Sequence, residues 1–165
     1  LDSSVFKSCV YQKEHLLLAV PGAFSINEKL RGYAVPVEKI RERALADPEI
    51  PAVPLEYFRE EPFVLLKPDN DTRKRAMNLC QLHGFLPRVI FELDQQQTAY
   101  HVTCSGLGIS FVSDTLIIYG TESPNVVYYK LKGGDSSRNL FFYWKKGRYF
   151  SRAMGEFLKI AGCSV

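Results

Sequence analysis

The sequence predicts an α/β fold, an open and largely parallel sheet with helices on both faces. Three observations predict it. The short apolar runs Phe63–Leu66, Arg88–Leu93 and Ile109–Val112 are too brief for helices and are bounded by turn residues, as buried parallel strands are. Between them, Asn70 to Gly84 and Asp94 to Gly106 open on a capping residue and close on glycine, as helices do. From Arg88 to Tyr119 the order is strand, helix, strand, helix, and a strand-helix-strand unit of this length implies a parallel pair with a right-handed crossover.

Taken in order, residues 1–13 mix polar and apolar character without a clear period and read as a connector. His15–Val20 is the first strand, ended by the turn signal Pro21-Gly22. Ser25–Glu56 is a long excursion; Val37, Ile40, Ala44 and Leu45 have helical spacing, which Asp47-Pro48 should stop. A short helical turn at Tyr57-Phe58 precedes the buried strand Phe63–Leu66. Asn70 or Asp71 caps a helix that runs to about His83 and is closed by Gly84. Arg88–Leu93 is a buried strand, Asp94 an N-cap, Gln95–Ser105 an amphipathic helix, and Gly106 its left-handed C′ residue. After the Ile109–Val112 strand, Val126–Leu131 and Asn139–Trp144 are further strands. The Gly133–Ser137 turn lacks the Lys-Ser/Thr ending of a phosphate loop. Tyr149–Ala161 is an amphipathic helix with Phe150, Met154, Phe157, Leu158 and Ala161 on one face.

With 165 residues, 46% of them apolar and 24% charged, the chain can bury one sizeable core in one or two small domains. A formal charge of +3, spread among acidic residues, calls for no nucleic-acid surface within the chain. No apolar run approaches the ~18 residues of a membrane span, and no basic start precedes an apolar segment, so a soluble cytoplasmic protein is expected. Cys9, Cys80, Cys104 and Cys163 show no C-x-x-C spacing; inert thiols are expected rather than a zinc site or a disulfide framework. His101 and Cys104 lie one helical turn apart without a third group to orient them, so no catalytic residue, metal or cofactor is assigned. The chain begins at Leu1 rather than at methionine, which points to truncation or processing.

Several stretches in fixed order resemble the effector-binding domain of LysR-type transcriptional regulators. They are Glu61-Pro62-Phe63-Val64-Leu65-Leu66, then Asn70-Asp71-Thr72-Arg73, Gly84-Phe85-x-Pro87, Asp94-Gln95-Gln96-Gln97-Thr98 and Ser105-Gly106-Leu107-Gly108-Ile109. The last strand and helix, Arg138 to Leu158, match the family's C-terminal return. The resemblance covers about residues 14 to 160. It implies a type 2 periplasmic-binding-protein-like fold of which only part is present: a connector or remnant of the first subdomain at 1–13, the second effector-binding subdomain at 14–131, and the return strand and helix of the first subdomain at 132–165. It also implies a small-molecule effector, a homodimer or homotetramer, and DNA contact through an N-terminal winged helix-turn-helix that these residues do not include. The alternative is a solute-binding protein of a transport system with the same fold.

In a parallel sheet the carboxyl ends of the strands share one edge, and ligands bind in the crevice outside it. Four polar turns are therefore expected together: Gly22–Ser25, Pro68–Arg73, Asp94–Thr98 and Ser113–Thr115. Helix N–H groups at that edge favour anions or strong acceptors. The candidate effector-binding residues are Asn70, Thr72, Arg73, Asp94, Gln95, Gln96, Thr98 and Ser113. Asp71 and Asp94 either cap their own helices or offer a carboxylate to an amine or hydroxyl. The resembling family commonly has Ser or Thr at the Asp94 position, so the ligand's charge is left open. Phe150, Met154 and Phe157 are the candidate oligomer interface, because an incomplete first subdomain leaves that stripe, Leu158 included, short of partners.

Overall fold

The computed structural model describes residues 2–120 and 123–163. In chain order the strands are β1 (Phe6–Pro21), β2 (Ala34–Val35), β3 (Pro62–Leu66), β4 (Arg88–Leu93), β5 (Ile109–Ser113), β6 (Val126–Lys130) and β7 (Ser137–Lys145). The helices are α1 (Ile26–Lys29), α2 (Val37–Arg41), α3 (Asp71–Leu82), α4 (Gln96–Cys104), α5 (Asp114–Tyr119) and α6 (Arg152–Ile160). The chain divides into two compact units, Leu1–Glu14 with Arg138–Val165, and His15–Ser137.

In the larger unit the strand order is β2-β6-β1-β5-β3-β4. β3 pairs in parallel with both β4 and β5, whereas β1 runs antiparallel to β5 and β6, and β2 antiparallel to β6. The open α/β sheet is thus mixed. β4 and β5 are parallel but do not pair directly, because β3 lies between them.

Side-chain alternation explains why both faces carry helices. Leu16, Leu18 and Val20 of β1 and Phe63 and Leu65 of β3 join Ala76, Leu79 and Cys80 of α3 on one face. Leu17 and Ala19 join Tyr100 of α4, Ile117 of α5 and Ile40 of α2 on the other, and Val64 and Leu66 meet Ala99 of α4. Leu16–Val20 are all essentially inaccessible, and each large apolar side chain so buried contributes about 1.5–3 kcal/mol. β4 is different. Although its apolar run predicts a buried strand, it is the last strand of the sheet and mostly exposed, with Ile90 37% and Phe91 46% accessible.

The helix ends follow the sequence closely. Asn70 caps α3 by accepting from the Thr72 N–H at 2.8 Å, and Gly84 beyond its end has φ +72°. The long excursion helix is short, α2 being followed by a left-handed Arg43 at φ 57° and a separate helical turn at Ala44–Ala46. Residues 132–137 stay with the larger unit, beyond the expected boundary at 131. Arg75 Nε donates to the Asp135 carbonyl at 2.9 Å, and Gly133 sits against Leu79 and Leu82, so the turn is held on α3.

The smaller unit contains the first half of β1, β7 and α6. Residues 6–13, read as a connector, are strand and β7 pairs with β1; neither the sequence nor the burial of this half of β1 alternates, so no period of two marked it as a strand. Tyr11 meets Phe142 at 4.9 Å, Phe142 meets Phe157 edge-on at 5.3 Å, and Trp144 meets Phe150 at 5.8 Å. Arg138 donates to Glu14 at 2.6 Å. Ser151 caps α6 by accepting from the Met154 N–H at 3.1 Å. Cys9 and Cys163 form a disulfide, against the expectation of four inert thiols. Their separation of 154 residues carries no spacing signal; the ribbon and the end of α6 bring them together.

The Gly106-Leu107-Gly108 segment works through two different constraints. Gly106 has φ +85° with open space around a would-be Cβ, so Gly106→Val should cost about 1–2 kcal/mol through left-handed strain alone. A Cβ on Gly108 would lie 3.0 Å from Val64, 3.1 Å from the Pro62 carbonyl oxygen and 3.2 Å from Ile90. Gly108→Ala should therefore displace β5 from β3 and cost about 1–3 kcal/mol. Urea unfolding of both variants checks the pair, and a neutral Gly108→Ala would overturn the close-approach account.

Candidate functional site

The carboxyl ends of β3, β4 and β5 lie on one edge, and each leads into a helix start: Asn70 into α3, Gln95 into α4, Ser113 into α5. Three of the four expected turns are therefore together. The fourth, Gly22–Ser25, lies at the opposite edge. Because β1 runs antiparallel to β5, pairing Leu16 with Ser113 and Ala19 with Ser110, it brings His15 to the polar edge and carries Gly22 away from it. The Gly22 end instead lines a separate cavity of about 440 Å³ with Cys104–Gly106, Pro124 and Asn125.

Polar ties stitch the three turns to one another. Arg73 Nη1 donates to the Leu66 carbonyl and to Glu92 Oε1, both at 2.9 Å, joining α3 to the ends of β3 and β4. Lys67 and Asp94 pair at 2.8 Å across the same two strands, and the Asp94 hydrogen bond holds the exposed Lys67 ammonium above its usual range. Ser113 Oγ donates to Gln96 Oε1 at 2.9 Å; its single proton thus used, it accepts from Thr115 Oγ1 at 2.9 Å. α4 crosses over β3, which lets its first residue reach the end of β5.

This network assigns different positions to the candidate residues. Asp94 does not cap α4; Gln95 occupies the N-cap position, and its side chain makes no cap bond. The Asp94 carboxylate is held outward by Lys67 instead. Asn70 is committed to its own cap, while Thr72 and Arg73 are partly buried beside it. Gln95 and Thr98 are exposed at the first turn of α4, Gln96 is half-buried, and Ser113 is buried beneath it. A void of about 10 Å³ under Thr72 and Arg73 is no larger than a water site.

Sequence reasoning missed Asp114. Its carboxylate is only 2% accessible; Oδ2 lies 3.1 Å from His15 Nδ1, and Oδ1 is buried without a hydrogen-bond partner. No spacing in the sequence links residues 15 and 114, because the pairing depends on the antiparallel β1–β5 register. Elsewhere, the Tyr100 and Tyr128 hydroxyls share a buried hydrogen bond of 2.5 Å, and burial raises the Tyr100 phenol.

On α6, Leu158 is buried at 4%, contrary to the expectation that it lacks partners, and Phe150 rests on Trp144. Met154 and Phe157 remain 40% and 55% accessible and border an apolar groove of about 360 Å³ with Phe142 and Trp144. Among the described residues no helix is long and apolar enough to cross a membrane, and no group of three acidic, His or Cys side chains could hold a metal ion.

Comparison with known proteins matches residues 34–163 to the LysR substrate binding domain. The chain is similar to an uncharacterized HTH-type transcriptional regulator, YcgK of Bacillus subtilis, at 30% identity over 150 residues, covering 90% of this chain and 44% of that protein. It therefore spans less than half of that relative. Among solved structures it is similar to the C-terminal domain of a probable LysR family transcriptional regulator from a Rhodococcus species, with TM-score 0.68, 19% identity and coverage of 99% of this chain and 71% of that one. It is likewise similar to the CcmR regulatory domain of Synechocystis in complex with 2-PG, with TM-score 0.68, 18% identity and coverage of 98% and 68%.

Removing the imidazole in His15→Ala would leave both Asp114 oxygens buried without that partner. The variant should lose about 1–3 kcal/mol of stability in urea. A neutral change would show that Asp114 finds equal partners elsewhere.

Proposed function

Because this chain belongs to the LysR substrate-binding domain family, we propose that it is the effector-sensing part of a bacterial transcription regulator and works in the cytoplasm by binding rather than turnover. A small metabolite would be held at the polar edge of the larger unit, and DNA would be contacted by a helix-turn-helix outside these residues. The reading rests on one observation: the starts of α3 and α4 and the Ser113 turn are gathered at one edge in a chain of this family. The transport-protein alternative loses its support, since the relatives are transcription regulators.

Within that edge, Gln95 and Thr98 make direct contacts, and the free N–H groups of the first turn of α4 donate to ligand oxygens. Gln96 and Ser113 position the turn, as do Asn70, Thr72, Arg73 and Asp94. A thermal-shift screen of small carboxylates, amino acids, sugars and 2-PG tests the reading; ligands rich in acceptor oxygens should raise the midpoint. Gln95→Ala with Thr98→Val should weaken the best ligand at least about tenfold, about 1.4 kcal/mol, while stability changes by less than about 0.5 kcal/mol. Equal losses of stability and binding would make this turn structural.

Phe150, Met154 and Phe157 form the proposed contact face of a homodimer or homotetramer, supported by the apolar groove that Met154 and Phe157 border and by the packing of Phe150 on Trp144 at its edge. Light scattering of this chain should show self-association or binding of an apolar dye, and Met154→Lys with Phe157→Lys should remove it. A monodisperse monomer that binds no dye would overturn this assignment.

A further inference from the structure

We propose that Cys9 and Cys163 are a reversible dithiol–disulfide pair that locks α6 onto the β1–β7 ribbon according to the thiol–disulfide balance around the protein. The smaller unit has little else to hold the helix. Among its described residues, only Glu14, Leu158 and Cys163 are buried, and the aromatic contacts of Phe150 and Phe157 lie on half-open surface. A thin core of this kind depends on a covalent staple, and this one joins positions 154 residues apart. The switch rests on the cytoplasmic role proposed above: in a reducing compartment, paired cysteines of this sort are more often redox-responsive than permanent.

The two sulfurs are unequal in a way that orders the chemistry. Cys9 is partly exposed and Cys163 is 4% accessible. The Cys9 thiolate attacks a small-molecule disulfide, forming a mixed disulfide and releasing one thiol; the Cys163 thiolate then attacks the Cys9 sulfur, closing the protein disulfide and releasing the second thiol. Two protein thiols and one small disulfide become one protein disulfide and two small thiols. In reverse, an incoming thiolate attacks Cys9 and Cys163 leaves. The reduced state is provided for as well, because Cys163 Sγ lies 3.6 Å from the Val10 carbonyl, to which its thiol can donate.

The other cysteines act as internal controls. Cys80 is buried, and burial pushes its thiol up to about 12, which keeps it in the unreactive thiol form. Cys104 is half-buried and sits on a different element, the end of α4.

The test equilibrates this chain in glutathione buffers from fully reduced to fully oxidised, quenches with acid, alkylates and maps peptides by mass. A single Cys9–Cys163 link that appears and disappears reversibly is expected, together with hydrogen exchange across Arg152–Ile160 about tenfold faster in the reduced protein. Cys9→Ser should show the faster exchange in every buffer, whereas Cys104→Ser should keep the full response. Absence of the link in oxidised buffer, its persistence in excess thiol, a link through Cys104, or equal exchange in both states would each overturn the proposal.

Discussion

The polar edge depends on β3 pairing in parallel with β5 on one side and β4 on the other. Parallel pairing requires each of these strands to end at the same edge, and a strand that ends there must turn into a connection. Three helix starts are thereby delivered to one line without any of them being chosen for a ligand. The close approach at Gly108 belongs to the same constraint, since the backbone there lies against the Pro62 carbonyl at the start of β3 and against Ile90 of β4.

Local chemistry made much of this legible. Asn70, Gly84 and Gly106 marked helix ends because capping and left-handed φ are decided by one or two residues, and each occupies the conformation its residue type favours. What was not legible depends on pairing between distant segments. The direction of β1 cannot be read from His15–Val20, because a run of five buried residues looks the same in a parallel or an antiparallel neighbour; placing Gly22–Ser25 at the wrong edge followed from that. The same ignorance hid His15–Asp114 and Cys9–Cys163, two contacts made by residues 99 and 154 positions apart.

β4 illustrates a second kind of limit. Its run Arg88–Leu93 is as apolar as an interior strand, yet it lies at the sheet's end with Ile90 and Phe91 open to solvent. Edge strands offer unpaired backbone groups and are usually short, charged or covered. Here Arg88 and Glu92 break the run, and Glu92 is turned back onto Arg73. Hydrophobicity reports that a strand has apolar neighbours somewhere. It does not say whether they belong to the same sheet.

The arrangement of charge at the polar edge narrows what the proposed site can select. Arg73 and Asp94, the two charged candidates, are already matched by Glu92 and Lys67, so neither is free to set the sign of a ligand by itself. Both pairs are partly exposed, and their net contribution is modest. The uncompensated feature is instead the set of backbone N–H groups at the first turn of α4, flanked by the amide of Gln95 and the hydroxyl of Thr98. Donors of that kind prefer a ligand rich in acceptor oxygens and tolerate it neutral or anionic. The Asp94 carboxylate consequently serves the tie between β3 and β4 rather than adding an unpaired charge to the edge.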